Sequence, residues 1–253
     1  MKLLYLLIDV FVIAIPLVAS FHPKIRFHKN WGRLFKAILF IAIPFLVLDS
    51  IFTSLGVWGF NPGYITGIRL FNLPVEEVLF FISIPYACVF TYYCLDKFYD
   101  FSWNPKSENI FCILLSGFLL VTGLLFWKKL YTSSTFISTA LLCLFLKFGL
   151  HINWFGKAVS IFVILLFPFL LVNGILTGTG LSAPVVWYNP SDNLGIRIMT
   201  IPVEDFIYGF ELFLGNLALY LRFTKQFSPD HLRSKPTGIE SENIKNNGKY
   251  RAI

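Results

Sequence analysis

Residues 33–86 read RLFKAILFIAIPFLVLDSIFTSLGVWGFNPGYITGIRLFNLPVEEVLFFISIPY, and residues 157–213 read KAVSIFVILLFPFLLVNGILTGTGLSAPVVWYNPSDNLGIRIMTIPVEDFIYGFELF. Laid over one another, the two stretches align. Pro44 meets Pro168 and Asp49 meets Asn173. After a few extra residues in the second loop, Asn61-Pro62 meets Asn189-Pro190, Gly67 meets Gly195 and Arg69 meets Arg197. Then Pro74-Val75-Glu76-Glu77 meets Pro202-Val203-Glu204-Asp205. A repeat of this length dictates the architecture before any motif is weighed.

Outside the loops both copies are almost wholly apolar, as is the rest of the chain. Of 253 residues, 56% are hydrophobic and 14% charged, against about 25% charged in an ordinary soluble domain. That leaves too little polar surface to cover a water-soluble globule. Crossing ~30 Å of hydrocarbon takes ~20 apolar residues, and runs of that kind lie near 3–20, 36–55, 75–95, 109–126, 134–150, 157–177 and 203–221. They are apolar all round, without period-2 alternation, so they read as helices. The first carries Asp9 and Pro16 and lacks a small-residue cleavage site, so it reads as a helix and not a signal peptide.

The expected fold is an all-α integral membrane protein of about seven transmembrane helices. Two parallel three-helix repeats, 1–98 and 131–225, are joined by a linking helix within 99–130. A polar, basic tail, 226–253, has little to bury and is expected to be disordered. An offset of four helices inserts both copies in the same sense, unlike the inverted repeats of many transporters. Both acidic pairs then lie at one membrane face, and the third and seventh helices are expected to bring them to one cavity.

Lysine and arginine set the orientation. Lys24, Arg26, Lys29, Arg33, Lys36, Lys97, Lys106, Lys147, Lys157 and the tail cluster fall on one side, against Lys2, Arg69, Lys128, Lys129 and Arg197 on the other. By the positive-inside rule the N-terminus lies outside and the C-terminus in the cytoplasm, in the cell membrane. The net charge of +7 is then a topology signal and not a nucleic-acid footprint, since the basic residues are scattered over separate loops. Cys88, Cys94, Cys112 and Cys143 lie in or at the ends of apolar runs as small packing residues, and the four histidines lack ligand spacing, so no metal site is expected. Gly174, Gly178 and Gly180 follow no strand and form no dinucleotide fingerprint.

The chemistry is expected in the acids. Asp9, Asp49, Glu76, Glu77, Glu204, Asp205 and Glu211 sit in or at the edge of apolar spans. Ionisable groups at membrane depth are expensive and read first as functional. Proline followed by acids is also ordinary helix-start chemistry, but its recurrence beside matched Asn-Pro and Arg elements favours a catalytic role for Glu76, Glu77, Glu204 and Asp205. Adjacent helical residues point ~100° apart, so one acid of each pair faces a substrate directly; Glu76 and Glu204 are expected to be the more sensitive. Supporting roles fall to Asp49, Asn61, Arg69, Asn173, Asn189, Arg197 and Glu211. The arginines either pair with the carboxylates or anchor their loops. Asp9, unmatched, reads as structural.

Over roughly residues 1–222, this arrangement of P-V-E-[ED] pairs opening helices resembles the membrane-integral lycopene cyclases of bacteria, archaea and fungi, whose halves are separate polypeptides in some bacteria. The second pair departs from Glu-Glu to Glu-Asp, a change family members also tolerate. The resemblance implies cyclisation of the ψ-ends of lycopene in carotenoid biosynthesis, with β-carotene favoured over the one-ring γ-carotene and without redox change. It also implies lycopene or another acyclic carotenoid as partner within membrane lipid, association with other carotenoid enzymes as an open expectation, and no cofactor. Protonation of a terminal alkene needs an acid, a dry pocket, a base and cation-stabilising surfaces, for which Trp58, Phe60, Tyr64, Phe71, Trp187, Tyr188, Phe206, Tyr208 and Phe210 are aromatic candidates. A retinal protein would need a lysine in the seventh span, and none lies in 203–221; a prenyltransferase would need Asp-rich clusters. A small proton-coupled transporter using the paired carboxylates is the alternative from another class.

Overall fold

A computed structural model describes residues 2–224; the expectation for the tail falls outside them. The helices are α1 (Leu4–Ala19), α2 (Trp31–Leu55), α3 (Val75–Phe98), α4 (Pro105–Leu125), α5 (Leu130–Leu144), α6 (Phe155–Leu176) and α7 (Val203–Phe223). A 3₁₀ turn, Phe27–Asn30, leads into α2, and a π turn, Phe145–Gly149, extends α5. Among the described residues, six helices are long and apolar enough to cross a membrane, and the 16-residue α1 is shorter. At ~1.5 Å per residue α1 covers ~24 Å of a ~30 Å core. Much of each long helix stays exposed despite its apolar character, as a lipid-facing surface would be: Phe40, Leu114, Phe118 and Phe167 point outward.

The fold is all-helical as expected, with short strands only in the connections. Where the chain must turn back at the ends of α2 and α6, it forms β1 (Trp58–Phe60), β2 (Arg69–Leu70) and β3 (Leu73–Pro74) in the first repeat, and β4 (Val186–Tyr188), β5 (Arg197–Ile198) and β6 (Ile201–Pro202) in the second. β2 pairs with β3 and β5 with β6 as matching antiparallel hairpins. Left-handed backbone recurs at corresponding positions, Gly67 with Gly195 ahead of each hairpin and Phe71 with Met199 in its loop. The apolar tips Phe71 and Met199 stand exposed, 91% and 66%, beside Arg69 and Arg197, an arrangement suited to a membrane–water interface.

β1 and β4 join the two repeats. They are antiparallel, with Trp58 opposite Tyr188, Gly59 opposite Trp187 and Phe60 opposite Val186. In the repeat alignment Gly59 corresponds to Trp187, so this pair faces its own counterpart and the local pseudo-two-fold axis passes between the two. Backbone bonds obey the same symmetry: Asn61 N–H donates to Val185 O at 2.8 Å, and Asn189 N–H to Val57 O at 2.8 Å. A Cβ on Gly59 would lie within the Trp187 ring, so only glycine admits that indole. The two loops therefore cap one end of the bundle together.

The other end is held by ion pairs. Glu108 on α4 bonds Lys147 and accepts from Gly156 N–H at 2.6 Å, both side chains being buried. Lys157 pairs with Asp96. Lys147, counted above with a loop, is thus a buried structural cation. α4 packs chiefly on α5.

Candidate active site

Each acidic pair sits where a proline ends extended backbone and starts a helix. Pro74 and Pro202 occupy the N-cap positions, with φ −66°, ψ 149° and φ −58°, ψ 143°. The pairs therefore fall on the second and third helical residues, and ~100° of rotation sends neighbours in different directions.

The first acid of each pair turns back to its loop. Thr66 N–H donates to Glu76 Oε1 at 2.6 Å, and Leu194 N–H donates to Glu204 Oε1 at 2.7 Å. Both side chains are fully buried. Glu204 also accepts from Thr132 Oγ1 at 2.6 Å; the Oε2 atoms of Glu76 and Glu204 have no hydrogen-bond partner among the described residues. Neither glutamate borders the cavity.

The second acid of each pair does. A cavity of about 370 Å³ lies between α1, α3, α6 and α7, and Glu77, Asp49, Asp205 and Asn173 are on its wall. The sequence expectation turns Glu76 and Glu204 toward a substrate; the cavity wall carries their neighbours. The rest of the wall is almost entirely apolar, including Val12, Phe80, Ile84, Phe162, Leu165, Phe169 and Leu212. Phe11, Ile15 and Leu171 line it and are also 72%, 69% and 58% exposed, so it reaches the outer apolar surface between α1 and α6.

The carboxyl groups differ in their surroundings. Tyr5 OH donates to Glu77 Oε2 at 2.5 Å. Asp49 lies on the same cavity wall, and its Oδ2 has no hydrogen-bond partner among the described residues. Asp49 Oδ1 accepts from Trp58 Nε1 at 2.5 Å and from Thr53 Oγ1 at 3.4 Å. Asp205 instead accepts on both oxygens, from Tyr131 OH at 2.6 Å and Tyr188 OH at 3.0 Å. Burial, and then the adjacent Asp205, pushes the Tyr188 phenol well above its ordinary value, so it remains a donor. Trp58, Tyr131, Tyr188 and Tyr208 surround this end of the cavity, the Tyr131 and Tyr188 rings stacked at 5.7 Å.

The remaining sequence candidates lie elsewhere. Asn61 and Asn189 organise the loops, their Oδ1 atoms accepting from Gly63 N–H at 2.9 Å and Ser191 N–H at 3.1 Å. Arg69 and Arg197 donate to the carbonyls of Asn72 and Thr200, so of the two roles open to them the hairpin-anchoring one is seen. Arg197 also lies 5.8 Å from the Tyr188 ring centroid. Glu211 accepts from Ser138 and Thr139 on α5, outside the cavity. Asp9 is buried one turn beyond Tyr5, and neither oxygen has a hydrogen-bond partner among the described residues. Of the nine aromatic candidates, Trp58, Phe60, Tyr188 and Tyr208 border the cavity.

Sequence reasoning missed Tyr5 and Tyr131, the donors to the second acids. They are counterparts: Tyr5 N–H bonds Tyr64 O and Tyr131 N–H bonds Asp192 O, one position per repeat. The signal was present as Lys2-Leu3-Leu4-Tyr5 and Lys128-Lys129-Leu130-Tyr131, too short to align alone.

No curated protein and no solved structure matches the chain. A family model described as lycopene cyclase matches it twice, over residues 2–95 and 128–223. With three-quarters of its length covered by two copies of that unit, the chain belongs to the lycopene cyclase family.

Proposed function

We propose that this protein is a lycopene β-cyclase acting by proton transfer alone, with no cofactor. The carrying observation is the cavity: an apolar chamber open toward lipid that ends in Asp49, Glu77 and Asp205. A ψ-end entering between α1 and α6 would meet these groups without leaving hydrocarbon surroundings. A proton carried by the Glu77 carboxyl group adds to the terminal alkene, and the tertiary cation is attacked by the neighbouring double bond to close a six-membered ring. Asp205, accepting from two phenols, remains an anion beside the cation and takes the ring proton that leaves. One proton enters and one departs, so product and substrate are isomers and no electron acceptor is needed. Tyr131, Tyr188, Tyr208 and Trp58 line the volume in which the cation forms and shield it through their ring faces.

Glu76 and Glu204 position the machinery in this scheme by fixing each loop to the start of its helix. The repeats, 1–98 and 131–225, act as one unit around a shared chamber, with 99–130 as connector. For topology, Lys24, Lys29, Arg33 and Lys97 crowd the end opposite the hairpins, which supports placing that end in the cytoplasm and both hairpin loops outside the cell membrane.

Expression in a lycopene-accumulating host, with the protein verified in the membrane, tests the reading. Carotenoid extraction should return β-carotene; lycopene left unchanged would overturn it, and ε-type rings would correct the ring assignment.

A further inference from the structure

Among the described residues the cavity's mirror-related position is filled. The repeat relates α1 to α5, α2 to α6 and α3 to α7, so a space bounded by α1, α3, α6 and α7 calls for a partner space bounded by α5, α7, α2 and α3. That space is filled by the ring of Phe81, 1% exposed, packed among Ile41, Phe45, Tyr208 and Leu212. The repeat counterparts of those four are Leu165, Phe169, Phe80 and Ile84, and all of them line the cavity. The counterpart of Phe81 is Gly209, on the cavity wall as well. The chamber is therefore the volume that a phenylalanine ring occupies on the other side.

A second position tells the same story. A Cβ on Gly215 of α7 would sit 3.2 Å from Ile41, so glycine there lets α2 close against α7. The counterparts, Ala87 and Leu165, are both cavity-lining. Meanwhile the two acids that the repeat would assign to separate sites, Glu77 and Asp205, face this one chamber together.

We infer that the chain holds a single end-group site, visited by the two ends of the carotenoid in turn, and that Gly209 keeps it open. This rests on the cyclase reading. A conjugated polyene is a stiff rod that cannot fold back to present its other end. The one-ring product must therefore withdraw into the bilayer after the first closure and re-enter reversed. Each visit is a complete isomerisation: one proton adds to the terminal alkene carbon, the ring C–C bond forms from the attacking π bond, and one proton leaves a ring carbon.

The test uses the wild-type protein in lipid vesicles with isotopically labelled lycopene and a tenfold excess of unlabelled γ-carotene. Released labelled γ-carotene would mix with the unlabelled pool, so the label in the early two-ring product should fall about tenfold below that seen without the excess. Undiluted label in β-carotene, or γ-carotene left unconverted, would overturn the inference. Absence of any ring would overturn the cyclase reading beneath it instead.

Gly209→Phe gives a second arm. Phe169 lies 3.1 Å from the added Cβ and must yield slightly, so Gly209→Ala serves as the milder variant if the larger one fails to accumulate. Both ring closures should fall together by tenfold or more in the Phe variant, with the ratio of one-ring to two-ring product unchanged at matched lycopene consumption. A chain with two independent sites would instead stall at the one-ring product.

Discussion

Exchanging the two neighbouring glutamates for glutamine, one at a time, separates positioning from proton transfer. In Glu77→Gln the amide oxygen can still accept from Tyr5, which holds Glu77 Oε2 at 2.5 Å, so packing is nearly preserved. What disappears is a carboxyl group able to carry a proton at the cavity wall. Loss of a positioned acid typically lowers rate by ~10²–10⁴-fold, about 2.7–5.4 kcal/mol on the barrier. In Glu76→Gln the amide oxygen can likewise keep the Thr66 N–H bond, but as a neutral acceptor. A charge-assisted bond is roughly twice as strong as a neutral one, so about 1 kcal/mol of loop anchoring is lost. That corresponds to a reduction of about fivefold if all of it reached the reacting geometry. Product per unit of membrane protein, measured by chromatography in a lycopene-accumulating host, should rank wild type above Glu76→Gln, and Glu76→Gln far above Glu77→Gln. The reverse order, with Glu77→Gln above a tenth of wild type and Glu76→Gln a hundredfold down, would refute the assignment of the second acid to the chemistry.

Tyr131→Phe removes one of the two donors that hold Asp205, a hydrogen bond of 2.6 Å to a charged group worth about 1.5–3 kcal/mol; cyclisation should drop about 10–100-fold with protein levels kept, and unaltered turnover would exclude the phenol from the site. Lys147→Met strands the buried Glu108 and should destabilise the detergent-solubilised protein by about 3–5 kcal/mol, with much of the loss recovered in Lys147→Met/Glu108→Gln; equal thermal stability of all three variants would show the pair to be idle. Gly59→Ala pushes a Cβ into the Trp187 ring and should lower thermal stability and activity together, while adding Trp187→Ala should restore part of both. Single cysteines introduced at Ser182 and Gly63, one in each loop, should be labelled from the same side of sealed vesicles; opposite labelling would break the shared cap.

The repeat carried most of the architecture because its alignment rests on residues that backbone geometry fixes. Pro74 and Pro202 start helices, and Gly67 and Gly195 take left-handed backbone. The site was legible only as far as the symmetry holds. The two acids of each pair point ~100° apart, and which of them enters the cavity is set by how the helix packs, which the four-residue motif does not record. Tyr5 and Tyr131 lie on helices whose repeat similarity is only a few residues long. The chamber itself arises where the repeats disagree, at Gly209 against Phe81, so an alignment read for its matches passes over it. Asp49 was recognised through its polar counterpart Asn173, and both line the cavity. The short strands went unread because two or three residues of extended backbone leave no periodic pattern.

The β1–β4 ladder bears on how such a chain can originate. Because Gly59 faces its own counterpart Trp187 in an antiparallel pair, the same strand borrowed from a second identical molecule would pair in the same way. That is the self-complementary contact of an isologous dimer. The contact is made by main-chain groups, so a half-sized ancestor could dimerise through it while its side chains drifted. Fusion through α4 would then release the halves from identity. One copy could take the tryptophan, the other the glycine that receives it, and the chamber could open on one side while closing on the other without loss of register.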